Sequence, residues 1–288
     1  VRRAAERVLG WGWEPRVGTH AAGRRGYFAA SDGERAADLN AAIRDPGIAA
    51  IWCLRGGYGT MRILDAVDWD GWCARPVPLI GFSDNTALHL ALRRRSVVSL
   101  HGPHAAAVDL PLFAKELLLR LLTRDEAVGT LPFPSGGHPR AETVRGGCAE
   151  GPLVGGNLAL LAATLGTPYA VRAEGAILFM EEVGESAYRV DRLLTQLQLA
   201  GVLGVVAGVA VGAFTEVPGE GSAGTPPVAE VIAERLDGLG VPVALGFPFG
   251  HVAQSWTLPM GVRARLDADA GTLTLLEPAL RSPRLDAG

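Results

Sequence analysis

A series of short, uninterrupted apolar runs separated by helical pattern is the feature that most constrains this chain. In the first half the runs are residues 48–54, 77–80 and 97–100. A strand apolar on both faces is buried on both, the condition of a parallel sheet covered by helices. Helical pattern surrounds these runs at residues 2–9, in a segment ending at Asp45-Pro46, from near Thr60, and from Ser83 to about Arg94. Ser31-Asp32-Gly33-Glu34 has the form of a capping box, in which the serine oxygen takes a helix N–H and the glutamate reaches back. A short strand is also expected around residues 14–17. Strands alternating with helices predict an α/β fold with a parallel sheet.

An amphipathic helix is expected over residues 112–122. The stretch 128–147, rich in Gly, Pro and Thr and poor in periodicity, reads as a linker. The expected division is therefore an N-terminal domain over residues 1–127, a linker, and a C-terminal domain over residues 148–288. In the second part, residues 151–165 predict a Gly-rich loop and a helix, and residues 176–180 a strand. A helix over 188–200, a strand over 205–214 and a helix over 227–239 follow. Short strands are expected near Val243, at 262–266 and at 273–276.

Composition excludes several classes of function. Hydrophobic residues make up 48% and charged residues 20%, which predicts a packed core. The net charge of −3 offers no basic face, so neither nucleic acid nor an acidic membrane is expected as a partner. Arg93-Arg94-Arg95 reads as a solvated helix end. The three cysteines, Cys53, Cys73 and Cys148, form no CxxC pair, which argues against a disulfide framework or a zinc site and fits a reducing cytoplasm. The N-terminal segment has charge but no apolar core of a secretory signal. The uncharged stretch 199–215 is glycine-rich and reads as a helix end followed by a buried strand, not a membrane span.

Ser83 is the sharpest chemical feature. An apolar run ends in Gly81-Phe82-Ser83 and a helix begins at once, the layout of a nucleophile elbow. The helix N-terminus would offer N–H groups and partial positive charge to a developing oxyanion. Asn85 stands where the usual GxSxG motif has its last glycine, and Ser83 as a simple helix cap is an equally physical reading. Arg55-Gly56-Gly57-Tyr58-Gly59 follows the preceding strand, where loops line the crevice of an open α/β sheet. The Gly57 N–H can join that of Asp84 as an oxyanion donor; an ordinary tight turn is the alternative.

A serine nucleophile needs a base, and six histidines are available: His20, His89, His101, His104, His138 and His251. Any one of them taken alone is more often structural. The base needs an orienting carboxylate. Glu181 and Glu182 follow an apolar strand and point to opposite faces, so only one can serve. Asp191 and Arg192 read as a helix-surface or interdomain ion pair. No HExxH occurs, which disfavours a zinc peptidase.

Taken in order, these segments resemble the LD-carboxypeptidase family of serine peptidases, which includes the microcin-immunity hydrolases. The matching stretches include Gly26-Tyr27-Phe28-Ala29-Ala30-Ser31-Asp32, Leu54-Arg55-Gly56-Gly57-Tyr58-Gly59, Gly81-Phe82-Ser83-Asp84-Asn85 and His101-Gly102-Pro103. In the second half they include Gly151-Pro152-Leu153-Val154-Gly155-Gly156-Asn157, Leu178-Phe179-Met180-Glu181-Glu182, Gly250-His251 and Leu258-Pro259-Met260-Gly261. The resemblance implies Ser83 as nucleophile, Glu181 over Glu182, His251 over the other histidines, and the N–H groups of Gly57 and Asp84 as oxyanion donors. It also implies a Rossmann-like parallel-sheet N-terminal domain with the serine, and a smaller mixed α/β C-terminal domain with Glu and His. The reaction it implies is hydrolysis of the L-D amide before the terminal D-alanine of a murein tetrapeptide, by a homodimer without metal or cofactor. An amidase acting on aminoacyl-nucleotide analogues is the neighbouring activity, and would need an aromatic platform. Trp256 and Tyr188 are the candidates, with core packing the expected role of each. A non-catalytic binding module of the same fold is the reading from another class. Arg55 is the candidate cation for the substrate carboxylate. The family pattern opens with a strand ahead of the first helix, and this sequence starts at that helix, either because it is trimmed or because its start was assigned late; if the strand is truly absent, the first sheet loses a member next to the active site.

Overall fold

A computed structural model describes residues 1–108, 110–136 and 140–280. Its helices are α1 (Arg2–Gly10), α2 (Asp32–Arg44), α3 (Trp69–Ala74), α4 (Thr86–Arg93), α5 (Leu112–Thr123), α6 (Leu158–Ala163), α7 (Ala187–Leu199) and α8 (Val228–Asp237). The strands of the first half are β1 (Ile51–Trp52), β2 (Leu79–Gly81), β3 (Ser99–His101), β4 (Gly129–Thr130) and β5 (Glu142–Arg145). Those of the second are β6 (Cys148–Asn157), β7 (Ile177–Val183), β8 (Gly208–Thr215), β9 (Val243–Leu245), β10 (Leu258–Met260), β11 (Arg263–Asp267) and β12 (Thr272–Leu275).

Two sheets organise these elements. In the first, β1, β2 and β3 are parallel, as the apolar runs predict. Its fourth member is β10, antiparallel to β3 with Leu258 opposite His101. The second sheet has eight strands in the order β4-β12-β11-β6-β7-β8-β9-β5, parallel from β6 to β9 and antiparallel toward both edges. The second half, expected as the smaller mixed unit, thus carries the wider sheet.

The capping box at Ser31 forms: the serine hydroxyl accepts from the Glu34 N–H at 3.3 Å, and the Glu34 carboxylate accepts from the Ser31 N–H at 2.9 Å. Three expectations are corrected. Residues 14–17 form no strand. The stretch 128–147 carries β4 and β5, which close opposite edges of the second sheet, because extended polar segments there can still complete a ladder. The glycines of 151–157 belong to a central strand, not a loop. They are needed because neighbours crowd β6: a Cβ on Gly156 would sit 2.5 Å from Thr86 Cγ2, and one on Gly155 would collide with the Phe179 carbonyl. β10 was not foreseen at all, since Pro259 in its centre argues against a strand. It is tolerated because β10 ends its sheet.

The two sheets meet through α4. Its residues from Thr86 to Leu92 are all buried, the polar Thr86 and His89 among them. Leu88, Ala91 and Leu92 join a cluster with Ile43, Trp72 and Leu79, while Leu90 joins the larger core of the second sheet. Thr86 Oγ1 accepts the N–H of Asn157 at 3.0 Å, fastening the start of α4 to the end of β6. Among the described residues no helix is long and apolar enough to cross a membrane.

Candidate active site

Ser83 sits where β2 gives way to a 3₁₀ turn, Ser83–Asn85, that leads into α4. Its φ is 61°, in the left-handed region that costs a non-glycine residue about 1–3 kcal/mol. A plain N-cap adopts extended backbone, so the geometry here is that of an elbow. The turn is held from outside: Asp84 Oδ2 accepts from the Thr60 N–H at 2.8 Å and from its hydroxyl at 2.6 Å. Loop 55–59 lies against the elbow, and a Cβ on Gly56 would come within 3.2 Å of the Ser83 hydroxyl oxygen. Glycine at 56 is therefore a condition of this approach. No acceptor among the described residues takes the N–H of Gly57 or Asp84, so both are available to a ligand oxygen.

Glu181 and Glu182 lie within β7 and not beyond it. Adjacent strand residues face opposite ways, and their partners differ accordingly. Glu182 accepts from the Asn157 side chain, the Ala159 N–H and the Val183 N–H, each at 2.8 Å. It is occupied in holding the start of α6, and burial raises its carboxyl above the ordinary range. Glu181, 0% exposed, turns the other way, and its Oε2 lies 2.7 Å from His251 Nδ1. The approach depends on Gly250, whose φ is 107° and where a Cβ would lie 2.7 Å from that of Glu181. With the carboxylate at Nδ1, Nε2 is the ring nitrogen left for another partner. The His251 ring packs against Phe82, centroids 4.7 Å apart, directly beside Ser83. The loop after β9 thus sets residue 251 against the end of β2, on the immediate neighbour of residue 83. The Ser83 hydroxyl makes no hydrogen bond among the described residues.

The remaining histidines among the described residues are engaged by other partners or packed among aromatic rings. His20 bonds Asp38 at 2.8 Å. His89 bridges the Ser99 hydroxyl and the Gly81 carbonyl, each at 2.8 Å, and burial lowers its pKa to about 4. His101 is packed among Phe82, His89 and Phe179. His104 contacts the elbow itself, a placement its sequence context in HGPH did not signal. His138 lies outside the described residues. Arg55 is exposed and forms no ion pair among the described residues, beside the Gly56 that touches Ser83. Asp191 pairs with Arg235 at 2.5 Å, not with Arg192. Trp256 is 0% exposed and donates to the Pro132 carbonyl at 2.6 Å, so it packs the core as expected. Tyr188 is 67% exposed, against expectation. The buried stripe of α7 runs through Ala187, Val190, Leu194 and Leu197, and Tyr188 falls one position off it. Among the described residues no group of three or more His, Cys, Asp or Glu side chains is placed to hold a metal.

Comparison with known proteins gives a consistent result. Residues 1–102 match the LD-carboxypeptidase N-terminal domain and residues 150–266 the LD-carboxypeptidase C-terminal domain. A putative carboxypeptidase of Streptomyces coelicolor is 46% identical over 285 residues, covering 96% of this chain and 88% of that protein. The crystal structure of a muramoyltetrapeptide carboxypeptidase from Oxalobacter formigenes superimposes with a TM-score of 0.81 at 31% identity, covering 95% of this chain and 92% of that one. The structure of MccF, a microcin C7 self-immunity protein, in complex with glutamyl sulfamoyl guanosine superimposes with a TM-score of 0.89 at 26% identity, covering 97% and 91%.

Proposed function

The chain belongs to the LD-carboxypeptidase family, and on that premise we propose that it is a serine-type carboxypeptidase acting on murein tetrapeptides. The observation that carries this reading is the pairing of buried Glu181 with half-buried His251 at 2.7 Å, set against Phe82 beside a left-handed Ser83. Ser83 attacks the amide between the L-centre and the terminal D-alanine. His251 takes the hydroxyl proton and returns it to the leaving amine, while Glu181 holds the tautomer and stabilises imidazolium. The N–H groups of Gly57 and Asp84 receive the oxyanion, each contributing on the order of 10²–10³ in rate. Water then releases the acyl group by the same proton route. Arg55, an exposed cation that forms no ion pair among the described residues, takes the terminal carboxylate of the substrate. The same reading has a homodimer working in the cytoplasm without metal or cofactor. Its two halves are residues 1–127, with the nucleophile, and residues 148–288, with the base and its carboxylate.

Ser83→Ala is expected to lower tetrapeptide turnover by roughly 10⁴–10⁶ while circular dichroism and Tm stay at wild-type values. D-alanine release measured by a coupled assay checks this, and near-normal release by the purified variant overturns the reading. The likeness to MccF supports a second activity on aminoacyl sulfamoyl nucleotides. With Trp256 sealed in the core, the exposed Tyr188 is the remaining member of the expected aromatic platform. Rates on a murein tetrapeptide and on an acyl sulfamoyl adenylate, compared side by side, separate the two.

A further inference from the structure

His104 is not used by the reaction as written, yet it touches the nucleophile's turn at three points. It lies in the loop after β3. Its Nε2 is 3.0 Å from Asn85 Oδ1 and 3.2 Å from the Phe82 carbonyl oxygen. The Phe82 N–H is farther, at 3.5 Å, so two near acceptors favour a proton on Nε2. The ring lies on the Phe82 ring, with centroids 4.4 Å apart and planes 30° apart, and His251 packs on the same phenylalanine. A Cβ on Gly56 would meet both His104 Cε1, at 3.1 Å, and the Ser83 Cβ, at 3.0 Å. Imidazole, oxyanion loop and nucleophile therefore share one contact point.

A left-handed non-glycine residue relaxes unless its neighbours prevent it. Asp84 is tied to Thr60, but that tie acts on one side of Ser83 only. We propose that His104 is a positioning residue for the nucleophile, its single Nε2–H bracketing Ser83 by bonding the Phe82 carbonyl before it and the Asn85 side chain after it. Burial lowers the His104 pKa to about 4, so the imidazole stays neutral near pH 7 and does not place a cation beside His251. The bracket fixes the hydroxyl's direction toward base and substrate without contacting either.

The inference rests on Ser83 being the nucleophile, and its test keeps the two apart. Labelling by a small fluorophosphonate and tetrapeptide turnover are measured for wild type, Ser83→Ala, His104→Phe and His104→Gln. His104→Phe keeps the ring on Phe82 and removes the donor. It is expected to slow labelling and kcat about 10- to 100-fold with KM within about twofold, the cost of a misdirected group. His104→Gln returns an N–H near the Nε2 position and is expected to recover most of both rates. Wild-type rates in His104→Phe with only a lowered Tm overturn the proposal, as does a glutamine variant as slow as the phenylalanine one. If His104→Phe does not fold, His104→Asn, whose shorter amide falls away from both acceptors, takes its place under the same criteria. Labelling of Ser83→Ala at the wild-type rate removes the nucleophile reading instead, whatever the His104 variants do.

Discussion

Two adjacent carboxylates on one strand have unrelated work, and a pair of substitutions distinguishes them. Glu181→Gln removes the charge opposite His251 and is expected to cut kcat by several orders of magnitude. Glu182→Gln loses a charge-assisted cap on α6 and is expected to lower stability by about 1–3 kcal/mol with kcat little changed. Thermal melts and turnover of both variants check the contrast, and equal losses of activity would refute it. In the sequence, Glu181 and Glu182 were distinguishable only by resemblance to a family. The pattern showed that one must face the cleft, but not which, because that depends on where Asn157 and His251 arrive from distant segments. Ser83 was more legible. A short apolar run ending at a serine before a helix can be read directly, whereas its φ of 61° had to come from the fold.

Elements were legible where local chemistry decides them. The capping box and Asp45-Pro46 bound α2 as expected, and α5, α7 and α8 fall within one or two residues of their periodic patterns. β1 is shorter than its apolar run, because only Ile51 and Trp52 find a ladder partner on β2. The glycines at the end of β6 misled for a related reason: local propensity disfavours glycine in a strand, and crowding by β7 and α4 demands it. The end of α2 depends on a remote side chain too. The Arg75 guanidinium donates to the carbonyls of Ala42, Ile43 and Asp45, and to that of Ile48. Those of Ala42 and Ile43 are carbonyls a helix end leaves unpaired. Arg75→Met is expected to cost about 1–3 kcal/mol in urea unfolding. A stability unchanged within error would show that water replaces the guanidinium fully.

At the scale of the whole molecule, the buried His89 and His101 and the half-buried His104 couple folding to pH. Burial depresses His89 and His104 to about 4 and His101 well below its ordinary value. Between about pH 4 and 6.5 the unfolded chain binds protons that the folded one refuses, so stability falls as pH falls through that window. Each group contributes a slope of up to about 1.4 kcal/mol per pH unit. Glu182, raised by burial, acts in the opposite sense and offsets part of the loss. Urea unfolding at pH 7.5, 6 and 5 should show the decline, and His89→Gln should flatten it. A pH-independent midpoint would mean that the three imidazoles charge freely in the folded state. The order of strands and helices, the caps and the serine at the end of β2 were written in the sequence, because turns, caps and periodic burial act between residues close along the chain. The joining of β10 to the first sheet, the docking of α4 on β6, the choice between Glu181 and Glu182 and the bracket around Ser83 were decided by the tertiary structure. Each of these is a contact between segments tens to more than a hundred residues apart, and no local preference encodes which distant group arrives.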